Sequence, residues 1–165
     1  MTYETERLYL KPIDTADAGF IVELYNTPQF IRHIGDRKIR STELAIRYIT
    51  EHFLPQFEKR GFGNYIVILK SDGTKIGAAG IFERKSLDVP DIGFSFLEEF
   101  QGKGYAYEAS RKIKEIGMKD FGLKKISAIT SQENLSSQKL IEKLGLVYKK
   151  DILFEDGETL RYYES

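Results

Sequence analysis

DIGFSFLEEFQGKGYA, running from Asp91 to Ala106, divides into a strand and the start of a helix, and the turn between them organises the rest of the chain. DIGFSFL reads as a strand that stops at the polar EEFQGKG. From Tyr105 a helix carries Ala109, Ile113, Ile116 and Met118 on its buried side. Gly102 and Gly104 remove side chains where the backbone must turn sharply, and the helix behind them offers unpaired N–H groups and the positive end of its dipole. Such a turn suits an anion. Gly104 and Ala106 are small enough to let a pyrophosphate approach the amides, and Lys103 adds a charge at the rim.

Downstream, the helix ends near Gly122, and ISAIT at Ile126 to Thr130 returns as a strand. Strand, loop, helix, strand implies a parallel crossover. A helix from about Leu135 to Leu144 is closed by Gly145, and LVYKKDILF, EDG and ETLRYYE form a closing hairpin. Upstream, residues Arg84 to Pro90 read as loop. NYIVILK and KIGAAGIFE flank SDGT, whose Asp72 and Gly73 make a tight turn, so Tyr65 to Glu83 reads as a β-hairpin. At the amino end RLYLKPI alternates as a strand, and Asp14 or Thr15 caps the helix AGFIVELYN. A second helix begins near Ser41, with Ala45, Ile49 and Phe53 on one face, until Pro55 and Gly61 disturb it. PQFIRHIGDRKIR between the two helices reads as irregular. The order β, α, α, βββ, α, β, α, ββ describes a mixed α/β sheet, mostly antiparallel with one parallel crossover and helices on both faces, in a single domain over residues 1–165.

Composition narrows the function. With 165 residues, 41% of them hydrophobic, the chain suits one globular domain. Lys plus Arg number 25 and Asp plus Glu number 25, so no global basic field exists to hold nucleic acid or an anionic membrane. There is no Cys, which removes disulfides, thiolate metal sites and a cysteine nucleophile together. No run approaches the roughly 20 apolar residues of a membrane span, and MTYETERLYL lacks the form of a leader, so a cytoplasmic protein is expected. The basic cluster Arg111, Lys112, Lys114, Lys119, Lys124 and Lys125 could meet a phosphate of a ligand, but the interspersed Glu115 and Asp120 favour a solvated helical face. His33 and His52 read as ordinary surface histidines, and Tyr25, Phe30, Phe53 and Phe57 as core.

Two commoner phosphate loops fail on spacing. A Walker loop needs GxxxxGK followed by Ser or Thr, and a dinucleotide fingerprint needs GxGxxG directly after the first strand. Here Gly104 is followed by Ala106 and Tyr107, in mid-chain. The sequence instead resembles the GNAT superfamily of acetyltransferases, whose acceptor loop Q/RxxGxG/A is matched by Gln101, Gly104 and Ala106. ETERLYLKPIDTADA resembles the family's first strand and helix, DIGFSF its central strand and ENLSSQKLIEKLGL its late helix. Within the superfamily TERLYL, DIGF, GKGYAYEA and the NxxS helix start resemble the ribosomal-protein N-terminal acetyltransferase (RimJ/RimL-like) branch.

The resemblance implies a GNAT-like fold and an acetyl-CoA-dependent N-acetyltransferase that needs no metal and no acyl-enzyme. Gln101, Gly102, Lys103, Gly104, Tyr105 and Ala106 would wrap the coenzyme pyrophosphate through their backbone. The strand from Gly93 through Phe94, Ser95, Phe96 and Leu97 would pair with the pantetheine arm. The acceptor would be a primary amine, on a peptide amino terminus or a small molecule, attacking in a ternary complex, and the irregular segment that holds His33 lies in the region that shapes the acceptor site in that family. Proton removal asks for a base or a water chain, and Asp91, with Glu83 beside it, is the available carboxylate. Many family members carry a Tyr acid one turn into the late helix, where this chain has Ile141. Ser137, four residues earlier on the same face, could reach the sulfur instead, and Asn134 could hold a pantetheine amide or cap the helix. A coenzyme-binding regulatory or interaction module that lost turnover is the other reading of Ile141. Exposed strand edges leave monomer and homodimer both open.

Overall fold

The computed structural model describes residues 1–165. Eight strands form one sheet: β1 (Tyr3–Glu4), β2 (Leu8–Pro12), β3 (Asn64–Leu69), β4 (Lys75–Phe82), β5 (Asp91–Phe96), β6 (Ser127–Ser131), β7 (Val147–Leu153) and β8 (Thr159–Glu164). Their order is β1-β2-β3-β4-β5-β6-β8-β7, and every neighbouring pair is antiparallel except β5 and β6. The helices are α1 (Ala18–Tyr25), α2 (Pro28–His33), α3 (Thr42–Tyr48), α4 (Leu54–Arg60), α5 (Tyr105–Glu115) and α6 (Leu135–Lys143). No helix is long and apolar enough to cross a membrane.

Period-two alternation along the strands builds a core on each face. Tyr65, Val67 and Leu69 of β3 join Ala109 and Ile113 of α5 and Ile141 of α6 on one side. Ile66 of the same strand turns the other way, against Leu24 of α1, Ala45 of α3 and Phe53. Fully burying side chains of this size stabilises the fold by about 1.5–3 kcal/mol each before the entropy of ordering them. The entry to α1 is fixed by a reciprocal cap, in which Ala16 N donates to Asp14 Oδ1 at 2.9 Å and Asp14 N donates to Asp17 Oδ2 at 3.0 Å. Asp17, 1% exposed, also accepts from Lys11 Nζ and Lys75 Nζ, each at 2.7 Å, which ties the cap to β2 and β4.

The hairpins, the crossover and the helices on both faces stand as the sequence predicts. Three local readings do not. PQFIRH is helical, because Thr27 caps Phe30 N through Oγ1 at 3.3 Å and Pro28 occupies the first turn, where its missing N–H costs nothing. Pro55 does not end the second helix. A π-helical turn over Ile49–Phe53 joins α3 to α4, and Pro55 falls in the first turn of α4; the chain stops at Gly61, whose φ is 79°. Met118 is 37% exposed, because α5 widens into a π-helical turn over Ile116–Asp120 and rotates it outward.

Candidate active site

Strands β5 and β6 touch at one register pair only, Asp91 opposite Ser127. Beyond it they splay. Leu97 N donates to Ile76 O at 3.0 Å, which sets the phase of β5: Asp91, Gly93 and Ser95 turn their backbone groups to β4, while Phe94 and Phe96 turn theirs toward the gap. The gap opens into a cavity of about 940 Å³ lined from β5, β6, α1, α2, α6 and the β7–β8 turn. A strand edge with unpaired amides inside a cavity of this size is suited to an extended ligand with amides of its own.

At the mouth of the gap lies the loop. Gly102 and Gly104 take φ of 74° and 85°, left-handed values that side chains resist. This conformation keeps the amides of Gly102, Lys103, Gly104, Tyr105, Ala106 and Tyr107 free of any protein acceptor, backbone or side chain. Six consecutive donors at the positive end of an 11-residue helix form an anion cradle. Gln101 closes it from the side, with Nε2 donating to Phe96 O at 3.0 Å and to Gln29 Oε1 at 2.7 Å.

Helix α2 reaches both lips of the gap. Gln29 meets Gln101 on the β5 side, while His33 Nδ1 lies 3.2 Å from Ser131 Oγ and Arg32 pairs with Glu133 at 3.5 Å on the β6 side. His33 and His52 both line the cavity, as do Tyr25 and Phe30, whose rings stack at 4.2 Å. Tyr25 and Phe30 are core residues, as read from the sequence, and His52 is exposed, as read; His33 differs, being half-buried beside Ser131. The Thr27-Pro28 start was the sequence signal for the helix itself.

Asp91 sits at the closed end of the gap, 1% exposed, and Arg84 Nε donates to its Oδ1 at 2.7 Å. Burial pushes the carboxyl up, against the Arg84 charge that pulls it down. The Arg84 guanidinium lies 5.4 Å from the Phe82 ring centroid and 5.8 Å from that of Phe154, so it bridges β4 and the closing hairpin. Arg84 falls in a segment that reads as loop, and nothing in its sequence spacing marks it as the partner of Asp91. Glu83 points elsewhere: Arg60 holds its carboxylate, and it does not line the cavity. Arg37, Arg84, Glu155, Asp156 and Glu158 give the wider end of the cavity charges of both signs.

On α6, Asn134 is the cap, its Oδ1 accepting from Ser137 N at 3.2 Å. Ser137 lines the cavity, and its hydroxyl makes no hydrogen bond within the protein. Ile141 is 1% exposed in the core beneath α5 and does not reach the cavity. Of the residues expected on the coenzyme, Phe94, Ser95, Phe96, Gln101, Gly102, Gly104, Ala106, Asn134 and Ser137 line the cavity, but the backbone of Ser95 is taken by β4 and is not free to pair with a ligand. Leu97 does not: its N–H is taken by Ile76 and its side chain is buried in the other core. Lys103 and Tyr105 offer the cradle their amides, while their side chains lie off the cavity, Tyr105 under Arg7 and Lys103 near Phe100.

Comparison with known proteins bears on the family and the fold. A family model described as an acetyltransferase (GNAT) domain matches residues 7–147. The uncharacterized N-acetyltransferase YoaA of Bacillus subtilis is 28% identical over 161 residues, 97% of this chain and 86% of that protein. Among solved structures, an acetyltransferase from Agrobacterium tumefaciens superposes with a TM-score of 0.84 at 24% identity, covering 100% of this chain and 94% of that one. RimL, a ribosomal alpha-N-protein acetyltransferase in complex with coenzyme A, superposes with a TM-score of 0.85 at 12% identity, covering 100% and 97%.

Proposed function

This chain belongs to the GNAT family of acetyltransferases, and from that premise we propose that it moves an acetyl group from acetyl-CoA to a primary amine in a ternary complex. The acceptor amine belongs to a protein amino terminus or a small molecule. The observation that carries this reading is the run of six unpaired amides from Gly102 to Tyr107 at the mouth of the β5/β6 gap. A pyrophosphate fits that cradle, because backbone N–H groups and a helix dipole converge where the glycines leave room. The pantetheine arm fits the edge where Phe94 and the Phe96 N–H are unpaired, amide against amide, the Phe96 carbonyl being taken by Gln101.

When bound, acetyl-CoA supplies an acyl group already activated as a thioester, so a C–N bond forms as the C–S bond breaks, one proton leaving the nitrogen and one joining the sulfur. The chain's own work is positioning. The Gly102–Tyr107 amides fix one end of the donor, and the β5 edge fixes the other. Ser137 supplies the free hydroxyl on the α6 side, where a donor to the departing thiolate is needed. A thiol of pKa about 8.5 leaves readily, so a weak acid suffices. Asp91, expected from the sequence as the base, is shut from solvent with its carboxylate bound by Arg84, so its role here is to anchor Arg84 at the closed end of the gap. The amine proton passes to water in the open cavity, Glu83 being held outside by Arg60.

The test is thiol release from acetyl-CoA with a panel of acceptors: peptides with free α-amino groups, amino sugars and linear polyamines. The account expects amine-dependent release with at least one class, and the preferred class identifies the acceptor. Tight binding of coenzyme A without transfer to any amine would overturn it.

A further inference from the structure

Behind the amide cradle, on the side away from the cavity, Thr5 and Arg7 of the β1–β2 turn meet Glu108 in the first turn of α5. Arg7 Nε donates to Glu108 Oε1 at 2.7 Å, Arg7 N donates to Glu108 Oε2 at 2.9 Å, and the Thr5 hydroxyl donates to the same Oε2. Arg7 Nη1 donates to Lys103 O at 3.1 Å, and the guanidinium lies 4.4 Å from the Tyr105 ring centroid. One side chain therefore touches the loop at Lys103 and the first turn of α5 at Tyr105 and Glu108.

The Lys103 carbonyl shares a planar trans peptide with the Gly104 N–H, and the two point in opposite directions. Holding the carbonyl backward aims the N–H forward into the cradle. Glu108 poses a second problem, since a carboxylate in the first turn of α5 competes with any anion for the helix N-terminus. Three donors turn it away. Burial acts to raise the Glu108 carboxyl, but the bonds from Thr5 and Arg7 outweigh it and hold the group below its ordinary range, so it stays charged and paired.

We propose that Arg7 is a positioning residue for the coenzyme pyrophosphate, holding the Lys103 carbonyl and the Glu108 carboxylate on the far side of the loop so that the Gly104 amide and the helix N-terminus face the phosphates. This rests on the placement of the pyrophosphate given above. Thr5 completes the arrangement through Glu108. An exposed ion pair alone contributes little, but a fork that combines a carboxylate, a carbonyl and an aromatic face fixes geometry as well as charge.

The test compares kcat/KM for acetyl-CoA with that for S-acetylpantetheine, which has the reacting end and no pyrophosphate. Wild type should prefer acetyl-CoA strongly. Arg7→Ala should lower that preference about tenfold, the size of a hydrogen bond involving a charged group. Arg7→Lys, which keeps the charge and loses the fork, should fall nearly as far. Thr5→Val should fall less. A merely structural role would lower both donors together and leave the ratio unchanged, and that result would overturn the proposal. Should Arg7→Ala not fold, Arg7→Lys and Thr5→Val give the same ratio. A wild-type enzyme indifferent to the two donors would instead remove the pyrophosphate from the loop, and the role of Arg7 with it.

Discussion

Asp91 faces Ser127 at the point where β5 and β6 part, and Ser127 staples that point by donating Oγ to Val89 O at 2.9 Å and to Pro90 O at 3.2 Å. Both residues are buried, Asp91 to 1% and Ser127 to 0% exposure. The splay that makes the cavity thus begins at a polar joint, and Arg84 holds its charged member.

Removing Arg84 should be costly. Arg84→Ala leaves the Asp91 carboxylate buried without its partner, a loss of about 3–5 kcal/mol for a broken buried pair. Adding Asp91→Asn should restore part of it, because no charge is then left behind. Denaturant unfolding of the two single variants and the double variant measures this, and strictly additive losses would contradict the anchoring role of Asp91.

Substitutions in the loop should act through the backbone. Gly102 at φ 74° has open space where a Cβ would go, so Gly102→Ala is a test of conformation alone, costing about 1–2 kcal/mol of left-handed strain. At Gly104, φ 85°, a Cβ would also stand 3.2 Å from Arg7 Nη2. Gly104→Val should therefore weaken coenzyme A more than Gly102→Ala does, read as Kd by calorimetry. Equal and unchanged affinities would mean that the loop does not carry the phosphates.

Ser137→Ala should lower kcat about tenfold at saturating acetyl-CoA and leave the Kd of coenzyme A unchanged, the pattern of a group that acts on the leaving sulfur. No change in kcat would leave the thiolate without a protein donor, since Ile141 is walled into the core.

The acid limb of stability should carry the signature of Asp17. Burial acts to raise its carboxyl, yet the bonds from Lys11, Lys75 and the Asp14 amide hold it below the ordinary value. A carboxyl depressed in the folded state contributes stability above its unfolded pKa, about 3.9, and loses that contribution as pH falls through the folded value. Asp17→Asn should be less stable at neutral pH, with a shallower fall below about pH 4. Parallel stability curves for wild type and variant would contradict this.

What the sequence made legible was local chemistry with a fixed spacing. The turn at Asp72 and Gly73, the glycines at 102 and 104, and the apolar period of α5 each specify a backbone conformation by themselves. The parallel crossover followed from element order. Helix α2 was missed because six residues give too little period, although Thr27 and Pro28 announce its start. Arg84 and Arg7 were missed for a different reason. Each pairs with a carboxylate on another element, Arg7 with Glu108 across 101 positions, and no local pattern records a contact made only by the fold. Asp91 shows the same limit: its place on the central strand was readable, but the guanidinium that occupies it was not.

The central claim is that the amides of Gly102 to Tyr107 receive the pyrophosphate of the donor, and it is tested most directly by following backbone amide resonances during a titration with coenzyme A. The largest downfield shifts are predicted at Gly102, Lys103, Gly104, Tyr105, Ala106 and Tyr107, with smaller ones at Phe94 and Phe96. S-acetylpantetheine should shift Phe94 and Phe96 and leave the loop unmoved. Saturation with coenzyme A while the loop amides stay in place would contradict it.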